Sequence, residues 1–517
     1  MALSPSARNM AALIGACLAA LMFGLEISSV PVILPTLETA LPADFRGLQW
    51  IMNAYTIACT TVLMATGTLA DRYGRKRVFT ITTIAFGATS LMCGLADDVS
   101  VLIAARFLQG LAGGAMLTCV IAIISHQFQD ERERGRAFSA WGVISGIGLG
   151  FGPIIGGLIA SWSSWHWVFL IHVPLTVLAL IPSLIGIRES RDPHAQRLDV
   201  AGIVTLTLAV FGLAFLITQG MELDRVQAIG LAVLTLAAFA GFLVAERVSP
   251  HPMFDFSVFR IRRFSGAIIG CIGMNWCYWP FMIYLPIYFQ GGLGLDSRSV
   301  GFLLLAYTIP FLVMPPVADR LLQRGGPRLV IPLGMAVMGT GFLLMRLGAG
   351  VEQAGWLTVL PGTLLAGIGL GLTNTPVTNT TTGSVPANRA GMASGIDISA
   401  RLITLAINIA VMGLILVEGI RWALPASVSG ALDAAQQQAL AASVAAGNLA
   451  ALPQAYPALA AADPSGAAVH GALVDGFGWV MLYGGIGAWV LAAISFAIFG
   501  PARACRARTA EASAARP

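Results

Sequence analysis

Five ionisable residues stand in or at the edge of long apolar stretches of this sequence: Glu26, Arg106, Asp397, Arg401 and, near a boundary, Glu418. A charge placed in hydrocarbon needs a water-filled cavity or an opposite charge, so such residues mark ion and substrate pathways. Glu26, in "LEISSVPVILP", is the leading candidate for an acid that takes up and releases a proton, because removal from water disfavours a carboxylate relative to its neutral acid. The alternative is a Glu26 close enough to the surface to be solvated. Arg106, about six residues into its stretch, either snorkels outward or favours the charged form of a nearby carboxyl such as Glu26. Asp397 and Arg401, in "GIDISAR", stand four apart on one helix face. They neutralise each other or take part in coupling or gating.

The elements that must position these groups are membrane spans. Hydrophobic residues make up 57% of the 517 and charged residues 11%, a balance that leaves too little polar surface for a soluble domain. Apolar runs of about twenty residues recur along the chain, each long enough to cross about 30 Å of hydrocarbon. They do not alternate as strands of a barrel would. Helical spans are predicted at about 10–34, 50–70, 78–96, 100–125, 137–160, 166–187, 201–219, 226–246, 264–289, 299–319, 328–348, 356–378, 391–418 and 473–500, about fourteen in all. The first run is read as a span rather than a leader, since no cleavage site closes it. Seven scattered Cys without a CxxC pair suggest neither a disulfide framework nor a metal site, and no metal or cofactor is expected.

Charge sets the orientation. Connectors after even-numbered spans carry Arg72 to Arg77, Arg132 to Arg136, Arg188 to Arg197, Arg260 to Arg263 and Arg320 to Arg328. The opposite connectors hold little beyond Arg46, Arg225, Arg298 and Arg421. The positive-inside rule then places both termini in the cytoplasm of a multi-pass protein of the cell membrane. The net charge of +5 is spread over short loops and forms no nucleic-acid patch. A long Ala-rich connector at 419–472 is expected outside.

Three motifs carry a family resemblance. "GTLADRYGRKR" (Gly67 to Arg77) resembles the signature loop of the major facilitator superfamily; "RFLQGLAGGA" (Arg106 to Ala115) resembles its fourth-span signature. "GIGLGFGPIIGG" (Gly146 to Gly157) is similar to the fifth-span signature of its drug antiporters. A degenerate relative of the first, "PPVADRLLQRGGPR" (Pro315 to Arg328), points to an internal repeat. The resemblance implies an all-α membrane protein of the major facilitator fold, with six-helix bundles at 1–190 and 256–500, two extra central helices at 191–255, and a cytoplasmic tail at 501–517. It implies the fourteen-span drug:proton antiporter branch, a multidrug efflux transporter and not an enzyme. The alternative is a dedicated carrier of one metabolite, natural product or siderophore. A membrane enzyme or receptor would need a catalytic cluster or a soluble domain, and a primary pump an ATP-binding P-loop; none is visible. The expected partners are the lipid bilayer, a small-molecule substrate and protons, and the chain is expected to be monomeric.

The resemblance also implies roles. Gly67, Asp71, Arg72, Gly74 and Arg75 are expected to form a gating latch, in which charge-assisted contacts hold one arrangement of the bundles and Gly74 permits the tight turn. Gly146, Gly150, Gly152, Pro153 and Gly156, with Gly142, form the antiporter motif: four-residue spacing of glycines allows close helix packing, and Pro153 favours a bend. Glu26 stands where the family usually has Asp, and the pattern leads one to expect Arg and Asn where His166 and His172 stand. These histidines sense pH, add a second protonation site, or are structural substitutions. For substrate, the ninth span offers Asn275, Trp276, Tyr278 and Trp279, with Tyr284, to a lipophilic or cationic compound; the aromatics could equally be interface anchors. The polar run "GLTNTPVTNTTTGS" (Gly371 to Ser384) either lines an inner vestibule or satisfies backbone groups around Pro376.

Overall fold

The computed structural model describes residues 4–500, apart from short stretches at 42–44, 192–198, 220–222, 250–255, 296, 352–353 and 387–388 and scattered positions between 426 and 462. The tail expected at 501–517 lies outside the described residues. Every regular element among them is helical: α1 (Pro5–Ala40), α2 (Phe45–Tyr73), α3 (Arg75–Gly94), α4 (Val99–Gln127), α5 (Glu131–Trp162), α6 (His166–Leu170), α7 (His172–Gly186), α8 (Val200–Gln219), α9 (Arg225–Val248), α10 (Arg262–Ile287), α11 (Ser297–Val313), α12 (Pro315–Gly325), α13 (Pro327–Ala349), α14 (Trp356–Gly383), α15 (Ala390–Ala423), α16 (Ala434–Ala445) and α17 (Ala467–Phe499). α16 falls in the long connector and buries Leu440, Ala441 and Val444.

Length and composition make eleven of these spans able to cross a membrane, α6 and α7 counting as one. Two more crossings are bent. α5 turns by 50° between Glu131–Gly152 and Ile154–Trp162, and α11 meets α12 at 41°. Each break falls at a proline, which lacks the N–H that would continue the helical ladder. The side chain of Pro153 lies outside the described residues. α2 runs for 29 residues around a shorter apolar stretch, Trp50–Leu63. Several helices begin on a side-chain cap: Asp98 accepts from the backbone of Ser100 and Val101 at α4, and Asp130 from Arg132 and Glu133 at α5.

Packing follows the chain. One apolar cluster joins α1 to α5 and α7 through residues such as Met22, Phe86, Met116 and Phe138. Another joins α10, α11, α13, α14, α15 and α17 through Phe281, Tyr307, Phe342 and Phe477. α8 and α9 lie beside these halves: Phe215 of α8 meets Trp50 of α2 at 5.5 Å between ring centroids. α9 buries only Phe242 and Glu246 among its described residues; it rests on α8, where Thr235 meets Gly212, and leaves most other side chains exposed, as lipid contact requires.

The halves meet along α5, where the glycines divide into two stripes. Gly142, Gly146 and Gly150 face the second half, at Thr375, Phe311 and Thr308. Gly148, Gly152 and Gly156 face α1, at Leu21, Ser28 and Ser29. A Cβ on Gly148 would stand 2.8 Å from the Leu21 carbonyl, so only glycine lets the backbones approach this far. Ser28 Oγ uses that closeness to donate to the Gly148 carbonyl at 2.9 Å. Gly152 and Gly156 thus sit on a different face from Gly146 and Gly150, and Gly148 joins the α1 stripe unanticipated.

Candidate functional site

Glu26 lies deep in α1, and four other helices converge on it. Glu26 is 0% exposed and Arg106 of α4 1%. Arg106 Nη1 pairs with Glu26 Oε1 and also donates to Gln109 Oε1 at 2.7 Å, while Nε donates to the Ile51 carbonyl at 3.0 Å. The Arg106 guanidinium lies over the Tyr55 ring of α2, 4.3 Å from its centroid. Gln109 is held in turn by Ser90 of α3, its Nε2 donating to Oγ at 2.9 Å. His172 of α7 completes the ring of neighbours, with Nδ1 3.3 Å from Glu26 Oε2. A buried guanidinium needs most of its N–H groups met, and this one finds a carboxylate, an amide and a carbonyl. Arg106 therefore points inward and does not snorkel.

The second half holds a comparable cluster nearer the arginine-rich end of the molecule, here called the basic end. Arg401 Nε donates to Asp397 Oδ2 at 3.1 Å, Nη1 to Asn374 Oδ1 at 2.5 Å and Nη2 to Thr378 Oγ1 at 2.7 Å. Thr378 Oγ1 donates onward to Asp397 Oδ2 at 3.2 Å. Asp397 is fully buried, and its Oδ1 has no hydrogen-bond partner. The pairing of neighbours one turn apart is therefore real, and the polar run of α14 serves it. Residues Thr373 to Thr382 of that run are all buried.

At the basic end, Asp71 ties α2 to the opposite half. Its Oδ1 accepts from Arg75 Nε and Nη2 at 3.0 and 2.6 Å and from the Gly391 N–H at 3.1 Å; Oδ2 accepts from the Met392 N–H at 3.0 Å. Gly391 and Met392 open α15, so the carboxylate caps the positive end of that helix. Gly67 permits the approach: a Cβ there would stand 2.5 Å from the Gly391 carbonyl. Gly74, at φ 107°, turns the chain between α2 and α3 in the left-handed region that favours glycine. The Glu189 carboxylate fills the space beside it and accepts from the Lys76 and Arg77 N–H groups, each at 3.1 Å. Arg75 Nη1 reaches Ser190 Oγ at 3.4 Å. Arg72 lies over the neighbouring Tyr73 ring. In the repeat-related stretch, Asp319 of α12 comes up against Gly135 of α5. Close by, Arg134 Nε donates to Asn379 Oδ1 at 2.8 Å. Contacts between the two halves thus recur at the basic end.

The four aromatic and amide candidates of α10 do not converge. Asn275 donates to the Cys271 carbonyl of its own helix at 3.0 Å. Tyr278 stacks on Tyr307 at 4.1 Å, each hydroxyl donating to the other's carbonyl, and is fully buried. Trp276 stacks on Tyr483 and lines an apolar groove of about 660 Å³ with Leu414, Glu418, Trp422 and Trp479. Trp279 alone of the four turns toward the junction of the halves, its ring centroid 5.8 Å from that of Phe311 and nearly perpendicular to it; Phe311 in turn meets Gly146. Tyr284 donates to the Ile409 carbonyl at 2.7 Å. At about 100° per residue these four positions spread over about 160° of the helix surface, wide enough to meet different neighbours.

Comparison with known proteins decides the family. Residues 16–409 match the family model described as Major Facilitator Superfamily. This chain belongs to the major facilitator superfamily. It is 31% identical over 406 residues to the "Multidrug resistance protein Stp" of Mycobacterium tuberculosis (strain CDC 1551 / Oshkosh), covering 78% of this chain and 75% of that one. It is also 31% identical over 421 residues to the "Puromycin resistance protein pur8" of Streptomyces alboniger, covering 79% and 82%. The fold is that of the human organic anion transporter MFSD10 (TETRAN), with a TM-score of 0.61 at 13% identity over 96% of this chain and 100% of that one. As a major facilitator, the chain is a multi-pass membrane transporter acting on small molecules.

Several residues in these clusters were not singled out from sequence: Tyr55, Gln109, Glu189, Ser190 and the Arg134–Asn379 pair. Gln109 sits inside the quoted "RFLQG", so an amide three residues after a buried Arg was the available signal. For Glu189 and Ser190 there was none, since they cap a helix more than a hundred residues away.

Proposed function

We propose that this transporter is a proton-coupled exporter of drugs or other small organic compounds, with its basic end and both termini in the cytoplasm. The observation that carries this reading is the fully buried Glu26–Arg106 pair. A carboxylate so placed binds α1 to α4 while it is charged and releases that tie when it takes a proton. Protonation then favours one facing of the bundles and substrate the other. Each ligand shifts the balance only by its difference in affinity for the two facings, and the coupling is reciprocal. Asp71, seated on the start of α15, would set the resting balance toward a closed basic end. Asp397, with Arg401, is the second candidate for proton coupling, and Gly146, Gly150, Gly152, Pro153 and Gly156 provide the interface that rocks. Substrate would meet Trp279 first among the α10 candidates. The chain acts as a monomer, since its two halves supply both walls of the path.

A second reading, export of one natural product, is favoured by a relative whose name specifies puromycin. Proteoliposomes with an imposed pH gradient test both. Ethidium and puromycin should each move against their gradients on the proposed reading, puromycin or neither on the second. Flux that persists unchanged after a protonophore has collapsed the gradient would contradict proton coupling.

A further inference from the structure

The sixth crossing runs through Ile171 with helical dihedrals, and His172 follows it at the start of α7, 1% exposed. Every heteroatom its ring meets is an acceptor. Nε2 lies 3.2 Å from the Met22 carbonyl of α1; Nδ1 lies 3.2 Å from the Phe169 carbonyl and 3.3 Å from Glu26 Oε2. A neutral imidazole has one N–H and one bare lone pair, so either tautomer turns a lone pair onto a carbonyl oxygen. Only the imidazolium donates from both nitrogens, and its protonation is assigned here from those acceptors. On the other side, Glu26 Oε2 is buried and accepts no hydrogen bond, while Oε1 is taken by Arg106; the Nδ1–H serves the Phe169 carbonyl in this conformation, and a small rotation of the ring would turn it onto Oε2.

The charged and titratable neighbours of the ring are few. α1 presents Glu26 and α4 presents Arg106, on the far side of that carboxylate. α3 presents the Phe86 ring, steeply inclined to the imidazole at 5.6 Å between centroids, with Cys93 beyond it beside Gln109. α2 places Tyr55 beneath the guanidinium, and His166 at the start of α6 stacks on Trp165 instead.

We infer that His172 is a second proton carrier of this site, holding in the present conformation the proton that Glu26 takes up. The inference rests on the role proposed for Glu26. In the transfer the Nδ1–H bond breaks and an O–H bond forms at Glu26 Oε2. The imidazolium becomes a neutral imidazole that still donates from Nε2 to Met22, and the carboxylate becomes a neutral acid. Arg106 keeps its charge, Gln109 and the Ile51 carbonyl. No further reactant is required.

The test is nitrogen NMR of full-length protein with ¹⁵N-labelled histidine in lipid nanodiscs at pH 7. The His172 signals are identified by difference against His172→Asn or His172→Gln, and independently as those that respond to Glu26→Gln. Both ring nitrogens should carry protons in the parent, and one should become bare in Glu26→Gln. A bare nitrogen in the parent, or no ring that responds to Glu26→Gln, overturns the inference and leaves His172 a neutral staple between α7 and α1. The measurement needs no substrate, so failure of proton-driven export would sink the functional reading while this result stood by itself. In transport, His172→Asn should displace the pH profile of ethidium export; a purely structural loss would scale the profile without moving it.

Discussion

The two buried acid–arginine pairs are built differently. Glu26 and Arg106 come from different helices, 80 residues apart, and neither side chain sees solvent. Asp397 and Arg401 are one turn apart on a single helix, and the Arg401 side chain is 14% exposed. Around the second pair, α15 changes character: nearly every residue from Gly391 to Ser399 is buried, whereas Arg401 to Ala406 are all partly exposed. A pair between helices reports on helix arrangement, because its partners part when the helices move. A pair within one helix turn survives such motion, since its geometry is set by that helix alone. The first can therefore couple protonation to movement, and the second can tune the charge within the second half without itself being broken.

Removing one partner should separate the two pairs most clearly. Arg106→Leu leaves Glu26 buried without its cation and should destabilise the protein by about 3–5 kcal/mol, the usual loss for a broken buried pair. A detergent melting curve would check it, and a variant as stable as the parent would mean that Glu26 is already neutral. Next in size, Asp71→Asn removes the carboxylate from the start of α15 while keeping an acceptor. The loss of charge-assisted bonds, about 1.5–3 kcal/mol, should open the basic end in proportion. Distances between spin labels on α2 and α15 would show a second, longer population. The smallest effect is expected for Asp397→Asn, because Arg401 retains Asn374 and Thr378 and some access to water. We expect about 1 kcal/mol or less of stability lost, with pH-gradient-driven flux reduced but still responsive to the gradient. A complete loss of coupling there, with Glu26 variants active, would reverse the roles of the two pairs.

Much of this was legible in the chain. Apolar runs fix where helices cross, because the bilayer demands about twenty apolar residues whatever else the sequence does. The joint at "DRYGRKR" was legible for the same local reason: Asp71, Gly74 and Arg75 lie within five residues, and their chemistry specifies a turn and a charge-assisted contact. Partners remote in sequence were not. Nothing in "GLTNTPVTNTTTGS" says that Asn374 and Thr378 will serve Arg401, or that Asn379 will meet Arg134 from the other half. Neutral polar side chains in a span carry no sign that names an opposite. The direction each residue faces was hidden as well. Trp276 and Trp279 are three apart and read alike, yet one stacks in an outer groove and the other turns toward α11 at the junction. The two glycine stripes of α5 follow from the same rotation about a helix, with Gly146 and Gly148 meeting opposite neighbours.

The most direct measurement is transport of ethidium by reconstituted Glu26→Gln under an imposed pH gradient, beside its exchange with no gradient. The account predicts that exchange across the membrane continues while accumulation driven by the gradient is lost, since the amide still accepts from Arg106 but can neither gain nor lose a proton. Accumulation that follows the gradient as in the parent would contradict it.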